Sequence, residues 1–184
     1  MSAARQDLLD RTIEYVARHG LSDLSLRELA AGIGSSHRML IYHFDSREGL
    51  LAAIVKSIEG QQREALELLA TDAVTPRQLV TAQWAQLSDP ALRPYVVLFF
   101  EVLALALQRR PGTEGFLDQL TAPWLDLGAA LADQLEITVT PDEIRLGIAV
   151  VRGLLLEATA SGDYAGSGAS LQRFLEMWDH DQHR

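Results

Sequence analysis

The sequence predicts an all-α protein whose first fifty residues contain a three-helix helix-turn-helix unit. Apolar residues recur at helical spacing along most of the chain, and no segment sustains period-two alternation between turn signals. Capping boxes mark helix starts at Ser25/Glu28, Thr75/Gln78 and Thr140/Glu143. In each, a hydroxyl and the acid or amide three residues later satisfy end N–H groups that the helix leaves unpaired. Residues 25–50, SLRELAAGIGSSHRMLIYHFDSREGL, read as two short helices around a glycine turn followed by a capped third helix.

The elements follow in order. A first helix over roughly 4–19 repeats Leu9, Ile13, Val16 and Ala17 on one face and stops at Gly20. Ser25 starts the second, with Leu26, Leu29, Ala30 and Ile33 as its apolar face. Gly34 stands where the chain must turn sharply, a conformation that only a residue without Cβ adopts at low cost. Ser35 or Ser36 then caps a helix carrying His37, Arg38 and Met39 on its first turn. From Asp45 or Ser46 to about Ala70 runs a long helix, roughly 36 Å at 1.5 Å per residue. That length suffices to link the first unit to a second region. Thr75-Pro76, Asp89-Pro90 and Thr140-Pro141 each place a capping residue before a proline at a first helical position. The expected helices are 76–88, 90–108, 114–136, 141–161 and 169–181, with SGDYAGSGAS at 161–170 as a loop.

The first turn of a helix that follows such a glycine turn is where side chains meet base edges in the major groove. Arg38 offers a fork of donors to guanine, and Met39 can pack on a thymine methyl. With His37 these are the candidates for base contact; the bland alternative is an exposed helix start with incidental charge.

The whole arrangement resembles the TetR family of bacterial transcriptional regulators over residues 5 to about 55. The matching elements are the serine at the second helix start, LRELAA, the glycine turn, Leu40, the closing Tyr42-His43-Phe44, and Ser-Arg-Glu-Gly-Leu-Leu. Two positions depart from the family pattern. Ser35 replaces a small apolar residue after the turn, which loosens packing there, and Ile41 replaces an aromatic, which removes one expected phosphate contact. The resemblance implies that Ser25, Tyr42, His43 and Arg47 hold the DNA backbone, and that Arg27 reaches a base or a phosphate. Such contacts position the reader rather than choose sequence. With Ser36 and the base-contact candidates, the expected DNA-binding set is Ser25, Arg27, Ser36, His37, Arg38, Met39, Tyr42, His43 and Arg47. For Tyr42 the competing reading is a half-buried core aromatic.

Charge is segregated. Residues 1–50 carry six Arg against seven acids, net −1, while the remainder carries ten basic residues against eighteen acids, net −8. The acidity therefore lies outside the expected reader, although an acidic body repels phosphates and predicts modest non-specific affinity. There is no Cys, which excludes disulfides, thiolate metal sites and a Cys nucleophile and is compatible with a reducing cytoplasm. The longest apolar run, Tyr95 to Leu107, is too short to span a bilayer and is split by Glu101, so no membrane association is expected. No phosphate-binding Gly loop, nucleophile elbow or HExxH pair is present, so neither an enzyme nor a cofactor is expected. His180 and His183, in a tail with Asp179 and Asp181, are too weak a pattern for a metal site.

Beyond the reader, Trp84, Tyr95, Phe99, Phe100, Phe116 and Trp124 are either plain core or walls of an apolar ligand cavity of the kind such regulators use. Glu101 and Arg152 each interrupt an apolar run, and an unpaired buried charge is costly. They pair with each other or a neighbour, or they orient a ligand. The expected ligand-binding set is Trp84, Phe99, Phe100, Glu101, Trp124 and Arg152. The segment from Ile144 to Leu156 is apolar nearly all round, and Leu171, Phe174, Leu175 and Trp178 repeat at i, i+3, i+4 and i+7. Two such helices from each subunit make a four-helix dimer interface, with Val151, Leu155, Leu171, Phe174, Leu175 and Trp178 as its expected contacts; a larger monomeric core is the alternative.

The expectation is a cytoplasmic homodimeric regulator, most often a repressor in proteins of this appearance. It has a DNA-binding domain over 1–48 and a ligand-binding and dimerisation domain over 49–184. Its partners are a palindromic double-stranded operator and a small apolar effector. The rival readings are a helical protein-interaction module or a small-molecule enzyme carrying a degenerate helix-turn-helix.

Overall fold

A computed structural model describes residues 3–19, 25–71, 75–111 and 113–182. Among these residues the chain forms α1 (Ala3–His19), α2 (Leu26–Gly32), α3 (His37–Phe44), α4 (Arg47–Ala70), α5 (Pro76–Leu87), α6 (Arg93–Leu107), α7 (Ala122–Gln134), α8 (Pro141–Ser161) and α9 (Tyr164–Gln182), with no strand. The fold is all-α. Gly20, the expected stop of the first helix, lies outside the described residues, as do His183 and the side chain of His180. No described helix is long and apolar enough to cross a membrane.

The three capping boxes form as the sequence predicts, at the starts of α2, α5 and α8. Ser46 caps α4, its hydroxyl accepting from the Gly49 N–H at 2.9 Å. Three boundaries differ from the sequence expectation, each for a backbone reason. The helix expected from Pro90 begins at Arg93, because a helix through Pro94 needs an N–H there to reach the residue 90 carbonyl, and proline has none. Asp89 instead closes a turn, accepting from the Ala91 N–H at 2.8 Å. The helix expected from 114 begins at Ala122, because Pro123 in its interior would lose a hydrogen bond and strike the preceding turn. Residues 114–121 form successive turns instead.

The third difference is the expected loop at 161–170, which is mostly the start of α9. Gly162, at φ 80°, ends α8, and the Asp163 carboxylate accepts from the Gly166 N–H at 2.8 Å to start the next helix. Small residues are needed there for close approach. Ser167 is buried and donates to Glu157 of α8 at 2.6 Å, and a Cβ on Gly168 would stand 3.1 Å from the Trp84 indole nitrogen of α5.

The chain divides into two compact units, Met1–Gln61 with Pro94–Gln119, and Gln62–Arg93 with Leu120–Arg184. The first unit buries Val16, Leu40, Leu50, Ile54, Leu98 and Val102 to 1% exposure or less. Its helices are also tied by polar contacts. Arg11 donates to the Ile33 carbonyl at 2.9 Å, Arg5 to the His43 carbonyl at 3.0 Å, and the Arg5 guanidinium lies 4.8 Å from the Phe44 ring centre. The second unit has a core of Leu66, Ala70, Leu79, Leu127 and Leu131, with Leu69, Trp124 and Leu135 packed against it. There α5 is bound to α9 by Arg77–Asp179 at 2.8 Å and by Gln172 donating to Thr81 at 3.1 Å.

Candidate nucleic-acid interface

The turn before α3 decides what that helix displays. Gly34 takes φ 65°, and the Ser35 N–H returns to the Ala30 carbonyl at 2.8 Å. The Ser36 hydroxyl accepts from the Met39 N–H at 3.2 Å and fixes the first turn of α3. Leu40 and Phe44, one turn apart, are buried and turn that side of the helix into the core. The opposite side therefore faces out. His37, Arg38 and Met39 are exposed, and Tyr42 is 76% exposed, which excludes the core-aromatic reading for it.

Other members of the expected set surround this face along the chain. Ser25 and Arg27 are exposed. Hydrogen bonds from the side chain and main chain of Ser25 hold the Glu28 carboxyl below its usual range, so the box that starts α2 keeps its acid ionised at neutral pH. His43 is half-buried, its ring 4.9 Å from that of Tyr42 in an edge arrangement, and its carbonyl is the acceptor for Arg5. Arg47 begins α4, directly after the hydroxyl cap, with its Nη1 3.5 Å from the Glu101 carboxylate. The arrangement presents three arginines, two histidines, an exposed tyrosine and an exposed methionine, with several backbone and hydroxyl groups, on a capped scaffold. That is chemistry for phosphates and base edges.

Residues 8–54 match the family model described as bacterial regulatory proteins, tetR family. Residues 8–54 therefore carry the N-terminal domain of the TetR family. Regulators named BetI from Escherichia coli are 31% identical over 65 residues, 35% of this chain and 33% of theirs, so the match spans about a third of those relatives. Among solved structures, a TetR transcription regulator from Haloarcula marismortui superposes with a TM-score of 0.68 at 15% identity, covering 96% of this chain and 98% of that one. FadR of Thermus thermophilus, a TetR-family transcriptional repressor in complex with lauroyl-CoA, gives a TM-score of 0.66 at 16% identity, covering 93% and 92%. At these identities the structural likeness establishes the fold, through both units of the chain. The TetR assignment therefore rests on the N-terminal match, and the all-α architecture on the full length.

The residues expected at a ligand divide between the two units of the chain. Phe99, Phe100 and Glu101 belong to the first, where Phe99 lies 5.1 Å from Phe100 and 6.5 Å from Phe116 between ring centres. Trp84, Trp124 and Arg152 belong to the second. Trp84 is buried beside Gly168, Trp124 packs on the Leu66 cluster with the Arg63 guanidinium 5.6 Å from its ring centre, and Arg152 donates to the Leu120 carbonyl at 2.7 Å. Of the residues expected at a dimer interface, Leu155, Leu171 and Leu175 are buried within their own chain, while Val151, Phe174 and Trp178 are half-buried. A different line faces outward on α8: Leu146, Ala149, Gly153, Leu156 and Ala160, spaced three and four apart and all exposed. Sequence periodicity alone did not select it, because α8 is apolar nearly all round and every stripe looks alike. Among the described residues no cluster of His, Asp or Glu is arranged to hold a metal.

Proposed function

We propose that this chain is a ligand-responsive transcriptional repressor that binds a palindromic operator as a homodimer and is released by a small apolar molecule. The observation that carries the DNA half is the outward face of α3. A first turn of His37, Arg38 and Met39 beside a tyrosine left 76% exposed puts a guanidinium, an apolar side chain and an aromatic ring on the outward side, where they add nothing to the core. Arg38 is the base-reading residue, Tyr42 and Arg47 grip phosphates, and Ser25, Arg27, Ser36 and His43 set the register.

The outward line on α8 supports the dimer. Leu146 and Leu156 are 53% and 49% exposed, and Ala149 and Gly153 between them let a second helix approach closely. Two readers held this way must enter successive major grooves about 34 Å apart, which requires an inverted-repeat site. The effector half rests on aromatic side chains in both units and on a neighbour in the fold, FadR, whose structure is in complex with lauroyl-CoA. Helix α4 runs from the first unit into the second, so a conformation preferred by the effector can change reader spacing and weaken a fixed operator.

Selection of bound duplexes from a random pool tests the reading. The enriched site should be an inverted repeat, and Arg38→Ala should relax base preference at one position in each half. Absence of any enriched site, or equal losses on cognate and scrambled duplexes for Arg38→Ala, would overturn it.

A further inference from the structure

Arg47 has a carboxylate partner, and that partner is the only charged residue of α6 after Arg93. The Arg47 Nη1 and Glu101 Oε1 atoms are 3.5 Å apart, with the two side chains 38% and 41% exposed. Helix α6 is otherwise the most apolar helix of the chain, and Glu101 sits in it between Phe100 and Val102. A second contact holds the same two segments together, the Ser46 hydroxyl donating to the Pro111 carbonyl at 3.4 Å. An ion pair this open to water stabilises a fold little, so stability is a poor account of a carboxylate at this place. A carboxylate does, however, offer a guanidinium the same paired oxygens as a phosphate does.

We propose that Glu101 is a built-in competitor for DNA phosphate: it occupies the Arg47 guanidinium in the DNA-free protein and must be displaced when Arg47 grips the backbone. This rests on the DNA-binding reading above and assigns to that site a residue from outside the helix-turn-helix. The competition has two consequences. Affinity is lowered for every sequence alike, because a phosphate contact carries no base information. The salt dependence is flattened too. An arginine that neutralises a phosphate releases condensed cations, about 0.9 per contact in the slope of log K against log salt. A Glu101 carboxylate unpaired by the same event draws a cation back from solution and cancels part of that release. Glu101 therefore restrains binding to the operator and to bulk DNA by the same factor, and leaves the preference set by base contacts of Arg38 unchanged.

Four proteins test the proposal: wild type, Glu101→Gln, Arg47→Met and the double variant. Each is titrated by fluorescence anisotropy with a selected operator duplex and with a scrambled one, from about 50 to 300 mM KCl, a range over which phosphate contacts dominate the change. Glu101→Gln is expected to bind both duplexes several-fold tighter at the low end, with a slope steeper by up to about 0.9 per subunit. The gain should vanish when Arg47 is Met. Weaker binding by Glu101→Gln would overturn the proposal, showing instead that the carboxylate holds Arg47 ready for DNA. A gain that persists without Arg47 would overturn it as well, assigning the effect to the general field of the acid. If wild type binds neither duplex at any salt, the DNA-binding reading itself fails, a result distinct from either of these.

Discussion

The Tyr95 hydroxyl on α6 donates to the main-chain carbonyl oxygen of Ile13 on α1, 3.3 Å away and 82 residues distant in sequence. This bond fastens α6 to the first helix of the same unit, and burial raises the Tyr95 pKa above its ordinary value. Tyr95→Phe should lower stability by about 1 kcal/mol, the usual net worth of such a bond. The pH dependence follows from the direction of the shift. A tyrosine that ionises less readily folded than unfolded contributes fully below its unfolded pKa of about 10 and loses that contribution as pH rises through the higher folded value. Urea titrations should therefore show wild type and Tyr95→Phe converging above about pH 10, where the unfolded tyrosine ionises. A constant gap across that range would contradict the assignment.

Gly49 in the first turn of α4 lies against the Phe44 carbonyl oxygen so closely that a Cβ there would overlap main-chain atoms. Backbone cannot swing aside as a flexible side chain can. Gly49→Ala should then cost about 1–3 kcal/mol, in the range of other overpacking changes, and should weaken DNA binding because Arg47 starts the same turn. A thermal midpoint equal to wild type would show that the approach is looser than this contact implies.

How much of this was legible in the sequence follows from how local each cause is. The caps at Ser25, Thr75 and Thr140 act within four residues, and all three form where the spacing places them. Gly34 and the exposed first turn of α3 were equally readable, since a glycine turn and two buried anchors, Leu40 and Phe44, orient that helix. The starts at Arg93 and Ala122 turned on Pro94 and Pro123, whose missing N–H groups outweigh the capping and apolar signals before them. The Gly- and Ser-rich stretch misled because its helix depends on packing against Glu157 and Trp84, which local propensity does not contain. The pairing of Arg47 with Glu101 spans 54 residues, and no periodicity within either segment announces it.

That packing gives a direct test of the α9 start. A methyl group at Gly168 would stand 3.1 Å from the Trp84 indole nitrogen, tighter than most real contacts, while helix propensity favours alanine over glycine by about 1 kcal/mol. Because Trp84 is buried, the steric cost should win. Gly168→Ala is expected to lower stability by about 1 kcal/mol and to shift the tryptophan emission, in keeping with a small overpacking change. A stabilised variant with unchanged emission would mean that the indole moves aside freely.

The last prediction separates residues that hold one chain together from those that join two. Leu171 is fully buried within its own unit, so Leu171→Glu should leave an unpaired charge in the core and unfold the second unit. Leu156 is 49% exposed on the outward line of α8, and Gly153 beside it has no atom within 4 Å of where a Cβ would stand. Within one chain, Gly153→Leu and Leu156→Glu are therefore harmless. Across a helix pair that closes over Ala149 and Gly153 they are not, since one inserts bulk and the other a charge where two backbones approach. Sedimentation at micromolar concentration should find wild type as a dimer and both variants as folded monomers with wild-type helical circular dichroism. Their operator affinity should fall steeply, because two unlinked readers lose the gain of binding together. A wild-type monomer at that concentration, or a dimer indifferent to both substitutions, would remove α8 from the interface.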